Sequence, residues 1–290
     1  MHIIVLAGIY TILALSLDLL VGRTGLLSVA HAAFYGIGAY SAALIATSTG
    51  LSFFISILLG MVFAIVVSLI VSSVAIRLHE DYFVIATLAL QMLFFAFSNN
   101  LTSVTKGSLG ILGISRPTLL GWTVQSTFSF AILSTSLAAI TFLVVSKIVD
   151  SPFGRVLFAI REDEIFAAAL GKNTTKYKVL VIAVSGVLAA LAGSLYAHYT
   201  TYISPQNFTV VESILIISMV IVGGAGSLWG PVVGAVLLVL LPELLRFLGL
   251  PNSVAANVRQ VLYGALLVAF MMWRSKGLLG KYSFNTEVDS

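Results

Sequence analysis

The sequence has 290 residues, of which 59% are hydrophobic and 9% charged, with a net charge of +4 and no cysteine. That charged fraction falls far below the roughly 25% of a soluble domain, so the chain has too little polar surface to cover a water-soluble globule. Without cysteine, disulfides, thiolate metal sites and thiol nucleophiles are excluded. The basic residues lie at the ends of apolar runs, where they serve topology rather than nucleic-acid binding.

Runs such as Ile3 to Val21, Phe53 to Ile76 and Tyr177 to His198 reach the ~20 apolar residues that cross a hydrocarbon core, and such runs fill the chain. The first has no basic residue ahead of it and no obvious cleavage site after it, so it reads as a retained helix rather than a signal peptide. Helices are expected over roughly 3–21, 27–47, 52–76, 82–98, 127–147, 178–198, 211–222, 229–247 and 257–273. The fold class is therefore all-α, a polytopic integral membrane protein of about 8–10 transmembrane helices. With the N-terminus outside, Arg23, Arg77, Lys147, Arg155, Arg161, Lys172, Lys176, Lys178, Arg274, Lys276 and Lys281 fall inside. Only Lys106, Arg116, Arg246 and Arg259 then fall outside, and the positive-inside rule selects this orientation.

Between the fourth and fifth spans, Asn99 to Gln125 is rich in Gly, Ser and Thr and reads as a folded external loop or re-entrant piece. Tyr199 to Phe208, interrupted by Pro205, is also expected outside. Two inner turns look alike, Val21-Gly22-Arg23-Thr24-Gly25 and Val222-Gly223-Gly224-Ala225-Gly226, and both helices that enter them are expected to cross in the same direction. A parallel internal repeat would explain this. Small residues recur every fourth position at Gly226, Gly230 and Gly234 and at Ala189, Gly193 and Ala197, with Ala32 and Gly36 as a further pair. Close helix packing in lipid needs such residues.

Ion-coupled carriers keep ionisable groups at mid-membrane, but here Asp18, Glu212 and Glu243 lie near helix ends and Glu80 and Asp81 in an inner turn. Asp18 reads as a helix-end acid beside Arg23. No two histidines have metal-ligand spacing, so no bound metal is expected. Ser227 with His198 as base is excluded as a hydrolytic pair, because the topology puts them about 30 Å apart and a serine and its base must be within hydrogen-bond reach. Neither glycine turn is followed by Gly-Lys-Ser/Thr, so neither is a phosphate loop. Polar groups on otherwise apolar helices, Ser28, His31, Tyr35, Gln91 and Ser98, are the candidates to line a solute path.

The segment 150–178 holds 9 of the 26 charged residues. Ser151-Pro152 is a helix-start signal. Phe153, Val156, Leu157 and Ile160 then form an apolar stripe, Glu162-Asp163-Glu164 follows, and Ala167 to Leu170 runs into Gly171, a helix-stop signal. A short cytoplasmic helix pair is expected, ending where Asn173 or Thr174 caps the next span.

These residues carry a resemblance. Ser151-Pro-Phe-Gly-Arg155 through Ala159-Ile-Arg-Glu-Asp163 and Ala167-Ala-Ala-Leu-Gly171 is similar to the cytoplasmic loop of branched-chain amino acid permeases of bacterial ABC importers. Leu19-Leu-Val-Gly22, Gly25, Leu27-Ser28 and His31-Ala-Ala-Phe34-Tyr-Gly-Ile-Gly-Ala-Tyr40 resemble the same family, as does Val222-Gly-Gly-Ala-Gly-Ser-Leu-Trp-Gly-Pro231. The spacing is that of the LivM-like subunit. The resemblance implies one permease domain, 1–290, in a bacterial inner membrane, with 150–178 as its cytoplasmic coupling loop. It implies as partners a homologous second permease (LivH-like), two cytosolic ABC ATPases that bind ATP and Mg, and an external solute-binding protein, with no cofactor on this chain. It also implies that Glu162, Asp163, Glu164, Ala168 and Gly171 meet the ATPases, with Arg155 and Arg161 in the same loop. The chain departs from the family pattern at Asp18, where an uncharged amide is expected, and at Arg23 and Leu26. These departures leave the solute open among leucine-like amino acids, amides, urea and aromatic acids. The alternative is a stand-alone channel or facilitator in which the loop is merely solvated.

Overall fold

The computed structural model of the chain describes residues 1–49, 52–75, 80–119, 122–124, 126–246, 252–274 and 277–280. Its helices are α1 (His2–Thr24), α2 (His31–Thr49), α3 (Phe53–Ala75), α4 (Glu80–Asn100), α5 (Thr102–Thr105), α6 (Thr127–Asp150), α7 (Pro152–Glu162), α8 (Glu164–Ala169), α9 (Thr174–Thr200), α10 (Val210–Gly223), α11 (Trp229–Arg246) and α12 (Asn252–Trp273). Two short antiparallel ladders complete it, β1 (Ile111–Leu112) with β4 (Tyr202–Ile203) and β2 (Thr118–Leu119) with β3 (Trp122–Thr123). The longer helices lie over the nine expected spans. Six segments are long and apolar enough to cross a membrane, namely α1, Phe53–Ser73, Tyr82–Asn100, α6, α9 and Pro205–Gly223. The chain is an all-α polytopic membrane protein.

Helix composition follows position. In α1, 72% of the apolar window is buried inside the protein, against 28% for α3 and 22% for α4, so α1 is central and the other two turn large residues outward. Phe54, Leu58, Phe63 and Ile70 of α3 and Ile85 and Leu93 of α4 are exposed, a face suited to lipid. By contrast, α2 is buried along most of its length and is built from small residues, because it is wrapped by protein.

The small residues set how closely helices approach. A Cβ on Gly193 of α9 would overlap the Tyr35 carbonyl oxygen of α2, and one on Gly38 of α2 would overlap the Ala190 backbone of α9. Ser194 Oγ donates to the Gly38 carbonyl across the same seam (3.1 Å). The stripe at Gly226, Gly230 and Gly234 works likewise, since a Cβ on Gly234 would overlap the Met219 carbonyl of α10.

The observed ends differ from the expected ones where side chains satisfy the backbone. α2 starts at His31 rather than near 27, because the Val29 and Ala30 N–H groups donate to Thr87 Oγ1 (3.1 Å) and Ser28 Oγ (3.4 Å). α1 ends on Gly25, which adopts a left-handed conformation (φ 75°). α9 begins at Thr174, ahead of the apolar span expected from 178, with Asn173 as the expected cap, its Oδ1 accepting from the Lys176 N–H (3.0 Å). The segment after α4 is folded, as expected, with Ile111 paired to Ile203 of the segment after α9.

The packing gives a test. Gly193→Leu is expected to lower the stability of the detergent-purified chain by about 1–3 kcal/mol, read as a lower melting temperature. Gly264→Leu, where an added Cβ meets nothing within 4 Å, is expected to leave it unchanged; equal melting of the two variants would overturn the packing argument.

Candidate functional site

The 150–178 segment folds as the expected helix pair. Ser151 Oγ accepts from the Gly154 N–H (3.3 Å), with Pro152 in the first turn of α7. Asp163 breaks the chain between the two helices and caps α8, its Oδ1 accepting from the Phe166 N–H (2.9 Å). Gly171 follows in a left-handed conformation (φ 79°). Each of these residues satisfies donors or geometry that a helix end leaves open.

The apolar stripe of α7 faces the membrane helices. Leu157 and Ile160 are buried, and the Phe153 ring stacks on Tyr177 of α9 (centroids 5.4 Å). Glu164 of α8 pairs with Lys178 of α9 (2.5 Å), holding the second helix to the same wall. On the other side Phe158, Ile165, Phe166 and Leu170 are exposed, Ile165 by 83%, beside exposed Arg155, Glu162, Asp163, Ala168 and Gly171. Sequence reasoning missed this second apolar set because it lies off the helical stripe; the signal was apolar residues between the acid cluster and Gly171 with no partner in period. Arg161 does not join the outward set. It turns inward and its Nη1 donates to the Gly22 carbonyl at the end of α1.

The two look-alike glycine turns meet there. Asp18, 1% exposed, accepts from the Gly226 N–H through Oδ1 (2.8 Å), while its Oδ2 lies 3.8 Å from Arg23 Nε. The pairing with Arg23 is as expected, and the bond to Gly226 is the unforeseen one. α1 and α10 thus enter their turns side by side in the same direction, as the sequence implied.

The candidate path residues are all buried, and three of them gather around the start of α2. His31 Nε2 and Ser16 Oγ share a hydrogen bond (2.6 Å). The Ala32 N–H donates to Ser213 Oγ (3.0 Å), Ser213 Oγ donates to Gln91 Oε1 (3.4 Å), and Gln91 Nε2 donates to the Phe208 carbonyl (2.7 Å). Ser28 and Thr87 hold the preceding backbone. At 1.5 Å per residue, Ser16 lies about 12 Å from the end of α1 and Ser213 about 15 Å from the end of α10, near the middle of a layer ~30 Å thick. Tyr35 stands apart from this network, edge-on to Phe208 (5.1 Å). Ser98 lines a cavity of about 290 Å³ between α2, α3 and α4. Ser16, Thr87 and Ser213 were not singled out from the sequence, although each is a hydroxyl on an apolar helix, the same signal that marked Ser28.

At the opposite end of α1, a cavity of about 420 Å³ is lined by His2, Tyr10, Glu212, Glu243, Gln260 and Tyr263 among others, and Tyr10 donates to Glu212 Oε1 (2.5 Å). Ser227 lies in the turn between α10 and α11, its Oγ accepting from the Gly230 N–H (2.8 Å), whereas His198 lies at the far end of α9, edge-on to Phe53 (4.9 Å). Among the described residues no group of three or more His, Asp and Glu could hold a metal ion.

A family model described as the permease component of the branched-chain amino acid transport system matches residues 1–271. The high-affinity branched-chain amino acid transport system permease protein LivM of Salmonella typhimurium is 32% identical over 93% of this chain and 68% of its own length. The LivM protein of Escherichia coli is 31% identical over 94% and 68%. The ribose import permease protein RbsC of Haemophilus influenzae is 29% identical over a shorter stretch, 36% of this chain and 33% of its own length. No solved structure matches the chain significantly.

The α8 cap is open to measurement. Asp163→Ala is expected to cost α8 roughly 1 kcal/mol, read as faster amide hydrogen exchange over 164–169 with α9 unchanged. Unaltered exchange there would remove Asp163 from the role of cap.

Proposed function

The chain belongs to the family of branched-chain amino acid transport permease components, and from that premise we propose that it is the membrane-spanning subunit of an ATP-driven importer for branched-chain amino acids or related small polar solutes such as amides and urea. The observation that carries the energy-coupling part is the α7–α8 pair. It is capped at each start, seated on the membrane helices by Leu157, Ile160 and the Glu164–Lys178 pair, and left with an apolar and acidic face toward solvent. Apolar residues ringed by charge are what a docking surface presents. The sequence has no phosphate loop, so in this reading ATP and Mg belong to two cytosolic ATPases that dock on Phe158, Ile165, Phe166 and Leu170, with Arg155, Glu162, Asp163, Ala168 and Gly171 around them.

Membership of the family supports the rest of the assembly in this reading. A homologous second permease completes the solute path, and an external solute-binding protein delivers to it. The N-terminus lies outside the bacterial cytoplasmic membrane and the coupling loop inside, as the basic residues favour. Ser28, His31 and Gln91 lie on a polar seam along which the helices part to admit the solute, with Tyr35 and Ser98 lining the path apart from that seam. The Tyr35 hydroxyl, buried with no hydrogen-bond partner among the described residues, supports this, because a group of that kind is costly to leave unmet. A stand-alone channel fits less well: His31 and Gln91 spend their polar groups on other segments, Ser16 of α1, the Phe208 carbonyl and Ser213 of α10.

Replacing Ile165 and Phe166 together by Asp is expected to remove at least about 2 kcal/mol of docking energy. ATPase subunits encoded with the chain should then be lost on purification, and uptake of labelled leucine with them, while membrane insertion is kept. A wild-type chain that purifies from detergent without ATPases would overturn the importer reading.

A further inference from the structure

α7 rests on the membrane helices through Leu157 and Ile160, but apolar contacts are not directional and can slide. Among the described residues, the directional link from α7 to α1 is Arg161, in the last turn of α7, whose guanidinium donates to the Gly22 carbonyl. Gly22 lies in the last turn of α1, where carbonyls have no partner inside their own helix. One turn back, Asp18 reaches past the same residue to the Gly226 N–H in the turn between α10 and α11 (2.8 Å). A Cβ on Gly22 would overlap the Asp18 carboxylate and meet the Gly226 nitrogen at 2.5 Å, so the three segments converge where no side chain holds them apart. Asp18 is buried, a costly place for a charge, and Arg23 lies beside it at 3.8 Å.

We infer that Arg161 is a positioning residue through which displacement of α7 is passed to α1, and that Asp18 passes it on to the α10–α11 turn. The inference rests on reading α7–α8 as the ATPase-docking pair, and it removes Arg161 from the docking surface itself. α1 is the central helix, packed on α6, α9, α10 and α11, so a pull on its end reaches most of the bundle. Lysine keeps the charge of Arg161 but not the planar fork of donors, and Asn keeps the acceptor of Asp18 but not the charge.

The chain has no cysteine, so a single Ser227→Cys, at a turn position only 7% exposed, reports movement of the turn by its rate of maleimide labelling. The measurement is made on the purified complex with its ATPases, with and without ATP and vanadate. In the parent complex the nucleotide is expected to change the labelling rate several-fold. Arg161→Ala is expected to shrink that response about tenfold, the size set by losing one charged hydrogen bond, with ATPases still bound and still hydrolysing ATP. Arg161→Lys should restore part of it, and Asp18→Asn should keep more of it than Asp18→Ala. An undiminished response in Arg161→Ala overturns the inference, as does a turn that never responds to nucleotide. So does loss of the ATPases from Arg161→Ala, which would make Arg161 a docking residue. A parent complex without ATPases is a different result, and it defeats the importer reading instead.

Discussion

Backbone polar groups in a membrane have no water to turn to, so every break in a helix must be satisfied from within the protein. That constraint explains where this chain puts its few polar side chains. The start of α2 lies at mid-depth, and the N–H groups of Val29, Ala30 and Ala32 are met by Thr87, Ser28 and Ser213. The end of α1 and the turn after α10 are met by Arg161 and Asp18. Residues that look like scattered hydroxyls and charges in an apolar chain are the partners of its irregular backbone. The same donors and acceptors would be exposed if these helices parted, so in the proposed importer one set braces a closed path and lines an open one.

Close packing supplies the other half of that behaviour. Between lipid-bathed helices no hydrophobic drive holds the bundle, and contact quality decides. Glycines at 38, 193 and 234 let backbones approach within the reach of a single missing Cβ. Surfaces of that smoothness can shift by a small step without unlocking interdigitated side chains, whereas a Leu-rich seam would have to unpack. The Ser194 to Gly38 bond gives such a seam a preferred register without making it rigid.

How much of this was legible in the sequence divides along physical lines. The spans were, because length and hydropathy are set by the bilayer alone. The helix pair at 152–169 was, because its start, break and stop are coded by Ser151, Pro152, Asp163 and Gly171 within a few residues of where they act. Arg161 was not legible as an inward residue, since its partner Gly22 is 139 positions away and periodicity carries no information about a partner. For the same reason Asp18 read as a helix-end acid beside Arg23, when its closer bond is to Gly226. The two glycine turns looked alike in sequence, but only the fold shows that they touch.

The placement of charge ties these points together. The buried acid near the end of α1 lies beside Arg23 and α7, and the acid in the first turn of α10 is held by the Tyr10 hydroxyl at the other end of the bundle. Between them the network at mid-depth is neutral, made of hydroxyls, an amide and an imidazole. In the proposed importer such a neutral middle exchanges hydrogen bonds with a small polar solute, and work enters from an end. At the α7–α8 end of the bundle an exposed apolar face, an Arg to a helix-end carbonyl and a carboxylate to a glycine turn lie in sequence from solvent to bundle, and in the proposed coupling they give force applied at α8 a connected route to α1.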